Sequence, residues 1–358
     1  MPNSQRSTGK GLLSPLFEPV AIGDLVLPNR IVLAPCTRNR ATADLGPTPG
    51  AIEHYASRAE AGLLITEATL IAKHVQGYLD TPGMFLDSHV DGWAKVTEAV
   101  HERGGRIFLQ LWHPGRMAHS HFTGVAPLAP SSVLDPAKRR QVGDFELYNE
   151  QPAEMGERQI ADALAEYGRA ARMAKLAEFD GVEIHAANGY LPEQFWRRHT
   201  NRRSDAWGGT AEKRARFMLE TVAACANEIP VSQVGVRLSP AAYFSDMQYS
   251  EGDNEALDII LQRLAEAGTA YCHAGIVEDK SYPYLDGTST QYLRQRWSGK
   301  LIGNGGYNPE SAAAAIASKQ FDLISFGKLF LANSDLVSRL ENNRPLKPYS
   351  TDVIRAFT

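Results

Sequence analysis

The chain has 358 residues, 43% hydrophobic and 22% charged, which is typical of a globular protein with one large core. Its formal net charge is -4, and no cluster of Lys and Arg is interleaved with aromatic residues, so a surface for nucleic acid or anionic membranes is not indicated. The three cysteines, Cys36, Cys225 and Cys272, lie far apart without a C-x-x-C pair, so the sequence predicts no disulfide framework and no zinc site.

No targeting or membrane-spanning segment is evident in the sequence. Residues 1–13 lack the apolar stretch of a signal peptide, and no run of about 18 apolar residues occurs anywhere. Linkers, internal repeats and low-complexity tracts are also absent from the sequence. We therefore expect a cytoplasmic protein with a single domain over residues 1–358.

Short apolar runs alternate with stretches of helical periodicity, which is the pattern of βα units around a parallel sheet. Eight runs read as strands, at 30–35, 62–68, 106–111, 181–186, 234–240, 270–275, 301–306 and 321–327. Six stretches read as helices, at 50–61, 91–104, 160–179, 210–229, 254–268 and 309–320. Eight strands are the number that a closed (β/α)8 TIM barrel needs, so we predict this α/β fold. An open doubly wound sheet is the competing arrangement, but it normally has a Gly-rich turn after its first strand, and "RIVLAPCTR" has none.

The connection between the third strand and the third helix is unusually long. It covers residues 113–153 and includes "HPGRMAHSHF" and the Pro-rich "APLAPSSVLDP". Loops of this length in compact domains are usually lids or binding elements. We predict a capping hairpin over the mouth of the barrel.

Polar residues collect at the carboxyl ends of the predicted strands, where the active sites of (β/α)8 barrels lie. Two glycine-containing segments, "IGNGGYN" and "FGKLF", follow strands seven and eight, the usual barrel location of a bound phosphate. Their residues Asn304, Gly305, Gly327 and Lys328 therefore predict a phosphorylated cofactor or substrate. The alternative is that these glycines only permit tight turns between strand and helix.

Arg237 places a permanent cation inside an apolar strand end, where an unpaired charge is unfavourable. An anion is therefore expected to face it. The anion is either a bound ligand or a carboxylate such as Glu67 in a structural ion pair.

His185, Asn188 and Tyr190 follow the fourth strand within six residues. His185 and Asn188 are three positions apart in a turn, so both can donate to one oxygen atom of a carbonyl or nitro group. If hydride reaches the carbon β to that group, the two donors stabilise the negative charge that develops on the oxygen. Tyr190 can deliver a proton to the neighbouring carbon. The alternative is a satisfied core histidine with a turn asparagine.

Seven segments together are specific for one family: "LPNRIVLAPCTRNRA", "ITEAT", "GGRIFLQLWHPGR", "EIHAANGYLPEQF", "NRRSDAWGGTAEKRARF", "GVRLSP" and "SFGKLFLANSDL". From about Leu16 to Tyr349 the sequence resembles the old yellow enzyme family of FMN-dependent ene-reductases, in the branch of N-ethylmaleimide and morphinone reductases. The resemblance implies tightly but non-covalently bound FMN and a ping-pong reaction with NADPH or NADH as transient hydride donor. It further implies activated alkenes as substrates, namely α,β-unsaturated ketones and aldehydes, maleimides and nitroalkenes, with nitro compounds or nitrate esters as additional ones.

The resemblance also implies roles for individual residues. The isoalloxazine ring would contact Pro35, Thr37, Ala68, Gln110 and His185, and Arg237 would face its pyrimidine edge. The FMN phosphate would be held by Asn304, Gly305, Gly327 and Lys328. His185 and Asn188 would bind the electron-withdrawing group of the substrate, and Tyr190 would donate the proton. Tyr78 and Trp112 would line the substrate pocket, and the protein would act as a monomer or homodimer.

Two positions, Lys328 and Cys36, need separate interpretation within the family pattern. Lys328 stands where the family usually has Arg, so a point charge replaces a two-pronged grip on the phosphate. Cys36 precedes the position that the register assigns to Thr37 and is interpreted as a packing residue, because one residue of offset turns a side chain to the opposite face.

Two other function classes remain open at the level of the sequence. A barrel lyase or aldolase acting on a phosphorylated sugar would use Lys73 or Lys328 as a Schiff-base amine. A flavin-binding protein without turnover would share the cofactor residues. The lyase class does not explain why Gln110, Arg237 and the pair His185 and Asn188 converge without a lysine inside the barrel, and steady-state oxidation of NADPH would exclude the protein without turnover.

Overall fold

The computed structural model describes residues 9–136, 139–142 and 145–350 and contains a closed barrel of eight parallel strands. Each strand pairs with the next, and the last pairs with the first through Ile324 and Ile31. The strands are β1 (Ile31–Leu33), β2 (Leu63–Ile65), β3 (Ile107–Trp112), β4 (Gly181–Ala186), β5 (Val234–Leu238), β6 (Tyr271–Ala274), β7 (Leu301–Gly303) and β8 (Leu323–Phe326). All eight predicted strands and the TIM barrel are confirmed, and the open doubly wound sheet is wrong.

The barrel helices are α1 (Pro49–Ala56), α2 (Asp87–His101), α3 (Glu157–Leu176), α4 (Ala211–Ala226), α5 (Asp253–Ala267), α6 (Ser289–Arg296), α7 (Pro309–Ala317) and α8 (Lys328–Ala332). The six predicted helices are present with ends shifted by a few residues. The helices α6 and α8 were not predicted, because each is short and α6 is mostly polar. Further α-helices are Gly9–Leu13, Ser120–Thr123, Leu191–Trp196 and Leu336–Glu341.

The amino-terminal end of the barrel is closed by a short antiparallel hairpin, Val20–Ile22 with Leu25–Leu27. Its apolar residues Ile22 and Leu27 are buried in one hydrophobic cluster with Phe108 of β3 and Tyr271 of β6. A larger cluster fills the space between the barrel and its helices. This apolar cluster occupies the amino-terminal end, and the carboxyl ends of the strands, where the active sites of (β/α)8 barrels lie, are at the opposite end.

The long connection after β3 contains an antiparallel hairpin, Arg139–Val142 with Phe145–Tyr148, at the place where a hairpin was predicted. The connection is fixed to a neighbouring loop, because a guanidinium nitrogen of Arg116 donates to the carbonyl oxygen of Ser245 at 2.7 Å. Leu128–Ala129 pairs in parallel with Ala153–Glu154 and closes the excursion on itself. The role of residues 113–153 as a lid stays a prediction, and residues 137–138 and 143–144 lie outside the described part.

The short strand Thr69–Leu70 extends the barrel sheet by pairing in parallel with the end of β3, and Ser281–Tyr282 forms a separate antiparallel pair with Gly287–Thr288. The 3₁₀ turns are Ser14–Phe17, Lys73–Val75, Gly115–Met117, Val231–Gln233 and Pro283–Leu285. Within the described ranges, none of the helices has the length and apolar character needed to cross a membrane. Residues 1–8, which belong to the segment interpreted as lacking a signal peptide, lie outside the described residues.

One carboxyl group on α3 makes stability depend on pH. Glu166 is 12% exposed, and its Oε1 lies 3.7 Å from Nδ1 of His74 and 3.9 Å from a guanidinium nitrogen of Arg169. Burial outweighs the nearby Arg169 and raises the pKa of Glu166 to about 7. A carboxyl with a raised pKa favours the fold while it is protonated, so this contribution is fully present at acidic pH and is lost as pH rises toward 7.

We therefore expect Glu166→Gln to stabilise the protein selectively at alkaline pH. The gain in the free energy of unfolding relative to wild type should grow by about 2 kcal/mol between pH 5 and pH 8. Urea unfolding at the two pH values measures it. Glu98→Gln, on the exposed side of α2, is the control. A gain that is the same at both pH values would contradict the assignment.

Candidate active site

The register of neighbouring strands brings five polar side chains together at two adjacent levels near the carboxyl ends. Gln110 on β3 is paired with Glu183 on β4, His185 on β4 with Arg237 on β5, and Arg237 with His273 on β6. All five residues are buried. Buried polar groups must find hydrogen-bond partners in the protein or in a ligand, so the partners of each one indicate what the site can bind.

Four hydrogen bonds link Gln110 on one side of the barrel to Asn304 on the other. Nε2 of Gln110 donates to Oε1 of Glu183 at 2.7 Å, and Oε2 of Glu183 lies 2.8 Å from Nδ1 of His273. Nε2 of His273 lies 2.8 Å from Oγ of Ser325, and Nδ2 of Asn304 donates to the same Oγ at 2.7 Å. This network occupies one amide proton of Gln110 and leaves its amide oxygen for a ligand.

The network holds Glu183 as a carboxylate. Burial tends to raise the pKa of Glu183, but His273, Arg237 and Gln110 together hold it below the usual value. Burial lowers the pKa of His273, so a neutral ring donates from Nδ1 to Glu183 and accepts at Nε2 from Ser325. Glu183, His273 and Ser325 were not predicted as site residues from the sequence. A charged residue in the middle of "GVEIHA" was the signal that could have found Glu183.

Arg237 is buried, with 8% of its surface exposed, and its Nε has no hydrogen-bond partner among the described residues. The alternative of an ion pair with Glu67 is wrong, because Glu67 binds Arg38 instead. The Nε of Arg38 donates to Oε1 of Glu67 at 2.7 Å, and the Arg38 backbone N–H donates to Oε2 at 3.0 Å. A buried guanidinium with an unused donor is unfavourable without an anion or acceptor, so Arg237 is available to a ligand.

His185 has the same property. Burial, together with Arg237 and His273, lowers the pKa of His185 well below its ordinary value, so the ring is neutral. Its Nδ1 is buried and has no hydrogen-bond partner in the described part of the chain. The alternative of a satisfied core histidine is therefore wrong, since a neutral imidazole with a bare ring nitrogen is ready to exchange a hydrogen bond with a ligand.

Asn188 lies in a turn directly after β4, with a left-handed φ of 59°. Its backbone N–H donates to Oγ of Ser239 at 3.1 Å, and its Oδ1 accepts from the hydroxyl of Tyr243 at 2.6 Å. The turn is thus held through both the backbone and the side chain. Asn188 is half-buried, and within the described residues no hydrogen bond engages its Nδ2.

Four rings form a continuous series beside this turn. The ring centroids of Tyr78 and Trp112 are 5.4 Å apart, those of Trp112 and Tyr190 5.1 Å, and those of Tyr190 and His185 4.7 Å. The last two contacts are edge-to-face, a favourable geometry for aromatic pairs. The structure therefore brings together the predicted pocket residues Tyr78 and Trp112 with the predicted proton donor and the predicted substrate ligand.

The two predicted phosphate loops are adjacent, because β7 and β8 pair through Gly303 and Ile324. Gly305 has a φ of 112°, and a Cβ there would lie 2.9 Å from the backbone nitrogen of Asp279, so the position requires glycine. Lys328 is exposed at the start of α8, with its Nζ 5.7 Å from the ring of Tyr349. The side chain of Asn304 is engaged by Ser325, which differs from the predicted role of that amide at a phosphate.

The residues after β1 and β2 border the same end of the barrel. Pro35 is half-buried, Thr37 is exposed and Ala68 is buried. Cys36 packs against Gly327, because a Cβ added at Gly327 would lie only 3.0 Å from the Cys36 Sγ. Burial raises the pKa of this thiol, so it is protonated.

The lyase alternative has no support in the positions of its two candidate lysines. Lys73 and Lys328 are both exposed, whereas a Schiff-base lysine needs a desolvated setting that lowers its pKa.

The donor set fits flavin mononucleotide. The buried Nε of Arg237 and the amide oxygen of Gln110 match the acceptors and the N–H of a pyrimidine ring, and the loops after β7 and β8 provide glycines and a cation at the usual phosphate position. Of the predicted cofactor residues, Gln110, His185 and Arg237 are brought together by adjacent strands.

Comparison with known proteins agrees with this assignment. Residues 15–347 match the NADH:flavin oxidoreductase / NADH oxidase family. A putative 12-oxophytodienoate reductase 11 of Oryza sativa subsp. japonica is 38% identical over 348 residues, which are 95% of this chain and 93% of the relative. The flavin oxidoreductase hxnT of Emericella nidulans is 36% identical over 97% of this chain and 95% of its own length.

Solved structures lead to the same family. The old yellow enzyme homologue from Zymomonas mobilis has a TM-score of 0.89 at 34% identity, with 95% of this chain and 96% of that chain covered. Morphinone reductase in complex with tetrahydroNAD has a TM-score of 0.88 at 37% identity, with coverages of 95% and 93%. The chain is therefore an FMN-dependent NAD(P)H oxidoreductase that belongs to the old yellow enzyme family, the NADH:flavin oxidoreductase / NADH oxidase family.

Proposed function

We propose that this oxidoreductase reduces activated C=C bonds, with His185 and Asn188 binding the electron-withdrawing group and Tyr190 protonating the product. The observation that carries the proposal is the buried, neutral His185 with an unpartnered ring nitrogen, 4.7 Å ring to ring from Tyr190. The names 12-oxophytodienoate reductase and morphinone reductase denote compounds with a ketone group, and a ketone oxygen is what such a donor pair would bind.

The proposed cofactor site uses the residues around the barrel mouth. Arg237 and Gln110 would hold the pyrimidine edge, and Pro35, Thr37 and Ala68 would contact the ring system. Gly305, Gly327 and Lys328 would hold the phosphate, with Asn304 contributing through its loop. When bound, FMN accepts hydride from NADH or NADPH and supplies it to the substrate carbon.

The protein side of the reaction follows from three groups. His185 and Asn188 would donate to one substrate oxygen, so that its growing negative charge meets dipoles that are already oriented. The neutral state of His185 suits this role, because its capacity to donate does not depend on pH in the neutral range. Trp112 and Tyr78 would cover the pocket with apolar surface and keep water from the reacting carbons.

Tyr190 is the proposed proton donor to the carbon next to the activating group. We expect Tyr190→Phe to slow the turnover of 2-cyclohexenone about 100-fold or more, because positioned general acids contribute about 10²–10⁴-fold. The Phe ring preserves the edge contacts with His185 and Trp112. Reduction of the flavin by NADPH, which needs no proton from Tyr190, should keep its rate. An unchanged turnover would point to solvent as the proton source.

The proposal is tested in two anaerobic half-reactions of the FMN-loaded protein. NADPH should bleach the flavin absorbance, and a subsequent addition of 2-cyclohexenone or N-ethylmaleimide should restore it. Borohydride in the presence of phosphorylated sugars should trap no covalent adduct, which separates the proposal from a lysine-dependent lyase. A flavin that is bleached by NADPH but is not reoxidised by any activated alkene would overturn the proposal.

A further inference from the structure

Tyr243 lies in the loop after β5, and its hydroxyl contacts the side chain of Ser239 and two acceptors from neighbouring loops. The hydroxyl is 2.6 Å from Oδ1 of Asn188 and 3.0 Å from the backbone carbonyl oxygen of Gly275. Burial raises the pKa of Tyr243 to about 12, so the hydroxyl carries its proton at neutral pH. A phenolic hydroxyl has a single proton, and the acceptor that receives it determines the orientation of the Asn188 carboxamide.

Gly275 already has another donor. The hydroxyl of Ser239 donates to the carbonyl oxygen of Gly275 at 2.5 Å, and the Oγ of Ser239 in turn accepts from the backbone N–H of Asn188. The shorter distance from Tyr243 is to Asn188. A carbonyl oxygen can accept two hydrogen bonds, so the distance decides: the 2.6 Å contact directs the proton of Tyr243 to Oδ1 of Asn188, which is the oxygen end of the amide.

An asparagine amide has one acceptor end and one donor end. With Oδ1 engaged by Tyr243, only the Nδ2 end of Asn188 is left for a ligand, and among the described residues Nδ2 has no partner. We propose that Tyr243 is a positioning residue that fixes the carboxamide of Asn188 as a hydrogen-bond donor and so restricts the site to substrates with an acceptor oxygen. This inference rests on the proposed function, in which Asn188 and His185 bind the same oxygen.

The surrounding backbone keeps Tyr243 and Asn188 in register. Asn188 and Gly189 both have left-handed φ values, 59° and 80°, which fixes the direction of the Asn188 side chain. A Cβ on Gly275 would lie 2.4 Å from Cβ of Ala187, so the loop after β6 is pressed against the turn that carries Asn188. Neither acceptor can move away without disturbing the other.

Loss of the Tyr243 hydroxyl would allow the Asn188 carboxamide to flip, so that its oxygen and nitrogen exchange places. In the reversed orientation Asn188 presents Oδ1 to the substrate oxygen, and two acceptors repel. Molecules with a flipped Asn188 amide should bind a carbonyl substrate less tightly, and the flavin site should stay unchanged. The effect should therefore appear with alkenes and be absent with oxidants that need no oxygen clamp.

The experiment compares Tyr243→Phe with Tyr249→Phe in the FMN-loaded protein. Tyr249 is a matched control, because it is exposed, stacks on Tyr284 with centroids 4.2 Å apart, and keeps that contact as Phe. Tyr243→Phe should lower the limiting rate of flavin reoxidation by 2-cyclohexenone roughly 3- to 10-fold, the equivalent of one hydrogen bond. Reoxidation by ferricyanide, the FMN content and all rates of the Tyr249→Phe variant should equal wild type.

Two further readouts decide whether the effect passes through Asn188. In oxidised enzyme with bound 2-cyclohexenone, the carbonyl stretch in infrared difference spectra should move to higher wavenumber in Tyr243→Phe, as for a lost hydrogen bond. In an Asn188→Ala background, Tyr243→Phe should have no additional effect, because the amide that it orients is missing. Additive effects, or an unchanged stretch and rate in Tyr243→Phe, would overturn the inference. Failure of wild type to be reoxidised by 2-cyclohexenone would instead refute the proposed function itself.

Discussion

His185→Ala is expected to slow reoxidation of the reduced flavin by 2-cyclohexenone at least about 100-fold, because loss of one preoriented donor costs about 10²–10³-fold in rate. The substituted residue is buried, and its Nδ1 has no partner within the described chain, so no internal hydrogen bond of that atom is lost. Stopped-flow absorbance at the flavin band measures the rate.

The control for His185→Ala is the reaction of the same variant with a second oxidant, ferricyanide. Reoxidation by ferricyanide does not require an oxygen clamp and should proceed at the wild-type rate, which shows that the flavin is bound and reducible. A decrease in rate that affects both oxidants equally in His185→Ala would assign His185 to the flavin and not to the substrate.

The titration of His185 should not affect the wild-type rate with 2-cyclohexenone between pH 6 and 8, because burial and the nearby Arg237 keep this ring neutral there.

Arg237→Met is expected to weaken FMN binding and to lower the reduction potential of the bound flavin. The lost charged hydrogen bond corresponds to about 1.5–3 kcal/mol, or roughly a 10- to 100-fold higher dissociation constant. The reduced flavin carries negative charge at the edge that Arg237 would face, so the potential should become about 30–60 mV more negative. Flavin fluorescence and a dye-coupled redox titration give the two values.

The stability of the apoprotein should change little in Arg237→Met. The substitution removes a buried guanidinium whose Nε has no partner among the described residues, but it also removes a charge that lowers the pKa of Glu183. Because these two effects oppose each other, we expect the free energy of unfolding of the apoprotein to change by no more than about 1 kcal/mol in Arg237→Met. Arg103→Met, half-exposed and paired with Glu53 at 3.3 Å, is the control and should change neither quantity. A strongly destabilised apoprotein would show that Arg237 has a structural partner.

The barrel was predictable from the sequence, because strands buried on both sides read as continuous apolar runs. All residues of β3, β4 and β5 are buried, and each run appeared clearly as "RIFLQL", "GVEIHA" and "VGVRLSP". The helix α6 was missed because "STQYLRQR" has little apolar periodicity. Its signal was local: Thr288 and Gln291 form a capping box, in which each side chain satisfies a backbone N–H of the first turn.

The site was only partly predictable, because strand ends can be located in a sequence but contacts between loops cannot. His185 and Arg237 were found because polar residues at the ends of apolar strands are conspicuous. The contact of Tyr243 with Asn188 joins residues 55 positions apart in two loops, and no local pattern encodes it. The ion pair of Glu67 with Arg38 was likewise hidden, and it removed the carboxylate that sequence reasoning had considered for Arg237.

Two buried groups with unused hydrogen-bonding capacity thus lie at paired positions of β4 and β5, His185 and Arg237. A protein selected for stability alone would have satisfied or removed them. These two groups lie next to a complete hydrogen-bond network from Gln110 to Asn304, so two sets of polar residues with different roles can be distinguished. The network fixes the residues around the cofactor position, and the unsatisfied atoms remain for ligands.

An anaerobic titration of the photoreduced, FMN-loaded protein with 2-cyclohexenone measures the proposed reduction of the alkene by itself. In the proposed site, His185 and Asn188 would hold an activated alkene so that it receives hydride from the bound flavin. We expect that one equivalent of enone reoxidises one flavin and that one equivalent of cyclohexanone is formed. A flavin that stays reduced in excess enone, yet is reoxidised at once by ferricyanide, would contradict this expectation.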